Sequence, residues 1–169
     1  MVQEINLQPR IETITQKYLI GMRLEMSFAN NKTFQLWQSF MPRRKEIKNV
    51  LTSDLYSIQV YPLAFDFSSV NLNATFEKWS AVEVADFKHV PDEMESFVLH
   101  GGLYAVFDYK GLSTDTNIYQ YIFGKWLPAS KEYGLDDRPH FEILGNKYRN
   151  NDPNSEEEIW IPLRLNKQM

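Results

Sequence analysis

The chain has 169 residues, with 18 Lys/Arg against 22 Asp/Glu and a formal net charge of −4. A hydrophobic share of 43% suits a folded domain with a sizeable core, and the acidic balance argues against broad electrostatic binding to nucleic acid. Cysteine is absent, which excludes disulfide scaffolds, thiolate zinc sites and cysteine nucleophiles, whereas four Trp, nine Tyr and eleven Phe make the chain rich in rings.

No apolar run reaches the length of a membrane span. The start, Met1-Val-Gln-Glu-Ile-Asn6, lacks the basic and apolar regions of a secretory signal, so the expected compartment is the cytoplasm. The sequons at Asn31 and Asn73 then read as chance matches.

Along the chain, Arg10–Thr15 is a candidate first strand. In Tyr18–Phe28 the residues Ile20, Met22, Leu24, Met26 and Phe28 alternate with Gly21, Arg23, Glu25 and Ser27, the period of a strand with one buried face. Asn30 or Asn31 offers a helix cap, and Phe34, Trp37, Phe40 and Met41 follow at helical spacing until Pro42. Two strand-like runs come next, Leu55–Tyr61 and Phe76–Val84. Residues 86–96, acidic and holding Pro91, form a linker.

The pattern then recurs. A strand-like run spans Phe97–Tyr109. Ser113 or Thr114 offers a cap before Ile118, Tyr119, Ile122, Phe123 and Trp126, and Pro128 stops that helix. The strands His140–Leu144 and Glu157–Leu163 follow, separated by a turn-rich loop. Matching elements lie about 80 residues apart, the mark of a long internal repeat. The expected fold is α+β, a mainly antiparallel sheet built from two β-α-β-β repeats at about 10–86 and 97–165 within one domain over 1–169.

Strand parity suggests where chemistry gathers. With Phe141 and Ile143 placed under the helices, Glu142 points to the opposite face. Ile159, Ile161 and Leu163 pack inward, so Trp160 shares that opposite face. Tyr104 sits opposite Leu103, Ala105 and Phe107, Gln59 shares a face with Tyr61, and Trp79 shares one with Glu83. The face away from the helices thus collects Tyr61, Trp79, Glu83, Tyr104, Glu142 and Trp160. Large rings around carboxylates suggest a binding surface for a lipophilic cation or a flat aromatic molecule, each ring face adding roughly 0.5–2 kcal/mol to a cation. A bulge in any strand would invert the parity beyond it. The run Glu156-Glu-Glu158 reads as a solvated strand entry, and Arg43–Lys48 as a solvated helix end. His89, His100 and His140 lack ligand spacing, and no phosphate-loop or dinucleotide motif occurs, so neither metal nor cofactor is expected.

The order of Leu36-Trp-Gln-Ser-Phe40, Trp79–Val84, Gly102–Gly111, Trp126-Leu-Pro128, Arg138-Pro-His-Phe-Glu142 and Glu158–Leu163 resembles the GyrI-like effector-binding domain. That domain is shared with the ligand-sensing halves of AraC- and MerR-type regulators. The likeness is nearer to the stand-alone, integron-associated branch of these bacterial proteins. It implies SHS2-like repeats with helices on one side and an aromatic cleft between them. In the cleft a buried Glu, here Glu142, meets lipophilic and often cationic ligands, as in multidrug binding. Trp126 is the matching Trp of the Trp-Leu-Pro motif. The ligand set expected is Glu142, Trp160, Tyr104, Trp126, Tyr61, Trp79 and Glu83, with Gln59 as the repeat mate of Glu142. The DNA-binding domain of the regulators has no counterpart among these residues.

Four functions are open to these residues. The leading one is a binder of a small lipophilic or cationic molecule, acting as sensor or sequestering protein without turnover. The second is a GyrI-like hydrolase of cyclopropanoid genotoxins with Glu142 as the catalytic group. The third is a protein-interaction module. The haem-binding relatives are a distant fourth, and a homodimer is an open option.

Overall fold

The structure, a computed structural model, describes residues 7–167. Its elements run β1 (Arg10–Ile14), β2 (Lys17–Met26), α1 (Thr33–Phe40), β3 (Leu55–Val60), β4 (Phe76–Val84), β5 (Glu95–Leu99) and β6 (Gly102–Lys110), then α2 (Asn117–Tyr121), α3 (Leu127–Ala129), β7 (Tyr133–Leu135), β8 (His140–Leu144) and β9 (Glu156–Leu165). A 3-10 turn, Met41–Glu46, extends α1, and a π-helical turn, Ile122–Trp126, joins α2 to α3. The strands form one antiparallel path, β1-β6-β9-β8-β3-β4-β2-β5, with β7 beside β9. The fold is α+β.

Local chemistry sets the helix ends. Asn31 Oδ1 accepts the Thr33 N–H at 2.9 Å, and Leu36 and Phe40, four apart, bury against the sheet. Pro42 has no N–H to continue the α winding, and the chain tightens into the 3-10 turn there. Asp115, rather than Ser113 or Thr114, accepts the first free N–H of α2, from Asn117 at 2.9 Å. Ile118 and Ile122 then pack on Phe107, Ile159, Ile161 and Leu163. The run expected as one strand over 97–109 is broken at His100–Gly101 into β5 and β6, and β7 was not anticipated.

The sheet is curled. Laid flat, β1 and β2 would lie six places apart, about 29 Å, and so would β5 and β6. Yet only Thr15–Gln16 joins the first pair and His100–Gly101 the second, and such connectors span roughly 10 Å. The edges must therefore approach each other. They do: a Cβ on Gly101 would collide with the carbonyl of Ile14, and Ile14 and Leu99, from the two edges, join one apolar cluster. Gly102, at φ 139°, turns the chain where any side chain would strike the Arg138 guanidinium.

The curl encloses one face of the sheet and leaves the other to the helices. Cross-strand partners share a face, and the register places Trp79, Ile58, Phe141, Trp160 and Val106 in a single row. This row lies inside the curl with Tyr56 and Tyr104. Phe141 stacks on Trp160 at 5.2 Å and meets Tyr104 edge-on at 5.3 Å. The next row, Ser80, Ser57, Glu142, Ile159 and Phe107, faces the helices.

This corrects the parity expectation. Trp79, Glu83, Tyr104 and Trp160 do lie away from the helices, but Glu142, Gln59 and Tyr61 point toward them. Phe141, expected beneath the helices, is on the other side. The reason is that both faces are buried, and the curled interior is the more apolar, so it claims Phe141.

Candidate functional site

The helices cover the outer parts of the sheet and leave its centre to other groups. Beneath α1 lie Ile20, Val82 and Val84; beneath α2 lie Phe107, Ile159 and Ile161. Between them, on β4, β3 and β8, the helix-side residues change character. One row reads Ser80, Ser57, Glu142 and the next Lys78, Gln59, His140. Small serines and polar groups at the centre of a sheet are poor packing but a good floor for a cleft.

Glu142 stands on this floor. It is 8% exposed; its Oε1 accepts the Tyr119 hydroxyl of α2 at 2.5 Å, and its Oε2 is buried with no hydrogen-bond partner. Gln59 lies beside the carboxylate and favours its charge, yet the Gln59 Nε2 donates to Ser57 Oγ at 3.2 Å. Desolvation pushes the Glu142 carboxyl above its ordinary range, against the pull of Lys78 and of the Tyr119 hydrogen bond. An unpaired buried carboxylate oxygen is costly and marks a place where a partner fits.

Rings line the cleft. Tyr61 meets His140 at 4.9 Å, and Phe67 stacks on Phe123 at 4.7 Å and on His140 at 5.0 Å. Phe65 and Phe67 come from the loop 61–75, which ties back to β2 through the Ala29 N–H donating to Leu72 O at 2.9 Å. Burial holds the His140 imidazole neutral, with its pKa down to about 3. Burial also raises the Tyr119 and Tyr61 phenols, so both stay protonated.

Two further charges face the same space. The Lys78 ammonium of β4 donates to Thr33 Oγ1 at 3.1 Å and is drawn down by burial, with Glu142 and Glu157 opposing. Glu157 of β9, partly buried, is pushed up to about 8 by desolvation and then by the charge of Glu142, with Lys78 opposing.

A model for the integron-associated effector binding protein family, Cass2, matches residues 10–163. The chain belongs to that family. Its curated relative, Transcriptional regulator BrlR of Pseudomonas aeruginosa, is 26% identical over 162 residues. The match covers 94% of this chain and 56% of BrlR, so the chain spans little more than half of that relative. An integron cassette protein of Vibrio cholerae shares the fold with TM-score 0.63 and 15% identity, over 94% of this chain and 97% of that one. So does SAV2435, solved bound to tetraphenylphosphonium, with TM-score 0.60 and 14% identity over 94% of each chain. One neighbour of this fold was thus solved with a small molecule bound, and the BrlR chain is longer than this one.

Of the residues expected at the site, Glu142, Gln59 and Tyr61 come together on the helix side of the sheet. Trp79, Tyr104 and Trp160 fill the curl instead, and Glu83 binds there to Lys17 at 3.5 Å and to the Tyr56 hydroxyl at 3.4 Å. Trp126 packs edge-on against Phe107 at 5.3 Å and borders an open groove of about 600 Å³ outside α2, with Tyr121, Tyr133 and Ile11. That groove is larger than the space of about 170 Å³ bordered by Tyr61, Phe67, Arg138 and His140, and Glu142 borders neither of the two. The motif residue Arg138 is structural: it donates to the carbonyls of Leu103 (2.7 Å) and Leu163 (2.8 Å) and lies 4.6 Å over the Tyr104 ring.

Sequence reasoning missed Tyr119, Lys78, His140, Phe67, Phe123 and Glu157. For Glu157 the signal was present, because it alternates in phase with Ile159 and Ile161. For Phe67, in an irregular loop, no periodicity could have shown it.

Proposed function

We propose that this protein binds a small lipophilic cation in the cleft over β3 and β8, with Glu142 as the counter-charge. The observation that carries this reading is the buried carboxylate whose Oε2 has no hydrogen-bond partner, on the same face of β8 as His140, whose ring meets Tyr61, Phe67 and Phe123. A cation about 4 Å from that oxygen gains about 4 kcal/mol of attraction at an effective dielectric of 20, and it gives the buried oxygen a partner. Ring faces add cation–π and stacking contacts. Phe67 already lies against the Phe123 and His140 rings, so an aromatic arm of the ligand takes its place as the loop 61–75 moves outward.

The crystal partner of SAV2435, tetraphenylphosphonium, has the required chemistry and supports this class of ligand. The relation to BrlR supports a role as the small-molecule-sensing part of a regulatory system, or as a sequestering protein. Calorimetric titration of the chain with tetraphenylphosphonium tests the reading. Glu142→Gln, which keeps the Tyr119 contact but removes the charge, is expected to weaken binding at least about tenfold, or 1.4 kcal/mol. Equal affinity in the variant would overturn the assignment.

A further inference from the structure

The cleft holds an uneven set of charges. Glu142 of β8 and Glu157 of β9 lie on adjacent antiparallel strands and face the same side. The register places Ile159 opposite Glu142, with Glu157 two residues along the strand from Ile159. Lys78 reaches the pair from β4, and the uncharged phenols of Tyr119 on α2 and Tyr109 on β6 also face Glu157. The flanking carboxylates point the other way and are matched there, Glu156 by Lys147 at 3.8 Å and Glu158 by Arg10 at 2.9 Å. Two carboxylates therefore share one ammonium.

We propose that the cleft takes up its ligand as a cation-for-proton exchange: the empty site keeps one proton on the Glu142–Glu157 pair, and a bound monocation replaces it. This rests on the cation-binding reading above and adds what the second carboxylate does. With both groups ionised and Lys78 charged, the space carries one negative charge that water cannot reach freely, which is costly. A proton on the pair removes that charge. Tyr119 donates its hydroxyl proton to Glu142 Oε1, which favours the ionised form of Glu142 over that of Glu157 and so biases the shared proton toward Glu157. The held-up titration of Glu157, near 8, agrees with that placement, and the two groups titrate as a pair. Because Glu157 is only partly buried, its proton has a path to solvent. One cation enters, one proton leaves, and the charge of the cleft stays balanced.

Tetraphenylphosphonium has a fixed charge, so any proton released on binding comes from the protein. Titration of the chain with it at pH 7, in two buffers of different ionisation enthalpy, is expected to show release of roughly 0.9 proton per ligand. Affinity is expected to rise about tenfold per pH unit from 6 toward 8 and then level off. Glu157→Gln is expected to bind with release below about 0.2 proton and a flat pH profile. Neutral triphenylphosphine oxide is expected to release none. Wild-type binding without proton release, or release undiminished in Glu157→Gln, would overturn the exchange while leaving the cation-binding cleft intact. Failure of tetraphenylphosphonium to bind at any pH would overturn the parent reading. Should Glu157→Gln not fold, the wild-type profile decides alone: constant affinity from pH 6 to 9 ends the proposal.

Discussion

The two faces of the central strands differ in kind although their residues alternate. On β8, Phe141 turns into the curl and Glu142, its neighbour, turns toward the helices. Inside the curl every large ring meets another ring or an aliphatic group, and the polar edges find partners, as when Trp160 Nε1 donates to Glu158 Oε1 at 3.1 Å. On the helix side the floor is polar, and two oxygens, Glu142 Oε2 and Ser80 Oγ, are buried without partners. One face is satisfied and the other is not. The contrast teaches that abundant rings by themselves mark a core, whereas unmet polar groups are what a packed core does not explain.

Substitution inside the curl should have the largest effect on stability. Phe141→Ala removes a fully buried ring from between Tyr56 and Trp160 and is expected to cost about 3–5 kcal/mol by denaturant unfolding. The fraction that stays folded should still bind tetraphenylphosphonium within about threefold of wild type, since no cation contact is lost. A collapse of affinity with unchanged stability would reverse the roles assigned to the two faces.

The same experiment on the other face should invert the outcome. Glu142→Gln is expected to leave unfolding free energy equal or about 1 kcal/mol higher, because an incompletely paired buried carboxylate is removed, while cation affinity falls. A large loss of stability would mean that Glu142 is chiefly a packing group.

A smaller effect sharpens the contrast through pH. Glu157 folds with its carboxyl raised to about 8 from 4.5, so the folded state holds a proton that the unfolded chain loses. Its contribution to stability is full below pH 4.5 and is lost as pH rises through 8. His140, lowered to about 3 from 6.5, has the opposite sign: its contribution is full above 6.5 and is lost as pH falls toward 3. The two oppose each other between 4.5 and 6.5, whereas from 6.5 to 8 only the carboxylate slope remains. The melting temperature of the ligand-free protein is therefore expected to fall by a few degrees over that upper window, and Glu157→Gln should flatten it. A rise in melting temperature there would contradict the burial of Glu157.

The smallest expected change is at Trp126. It packs on Phe107 at the outer groove, away from the floor, so Trp126→Ala should alter tetraphenylphosphonium affinity by less than about twofold despite some loss of stability. A tenfold loss would move the site to that groove.

Much of this architecture is legible in the residues. The alternation in Tyr18–Phe28 and Phe76–Val84 fixes two strands, and the i, i+4 spacing of Leu36 with Phe40 and of Ile118 with Ile122 fixes the buried stripes of the helices. The alternation of Ile159, Ile161 and Leu163 places them on the helix side, and they lie there. Glu142 was singled out by its motif. Its face was not legible, because alternation states that Phe141 and Glu142 point apart and leaves open which of two buried surfaces receives each. The site also draws on Phe67 in the loop 61–75 and on Lys78, and strand parity carries no information about which distant side chains will meet above it.

The sequence by itself thus determined the strands, the helices, the absence of thiol chemistry and the presence of a carboxylate within a ring-rich motif. Tertiary structure alone decided that the sheet curls, through two short connectors that join strands six places apart, and that the curl turns one face into a dry aromatic core. That closure is a long-range constraint, invisible in any window of the chain. Once it consumes Trp79, Tyr104 and Trp160 as core, Glu142 falls on the opposite face, under Tyr119 of α2.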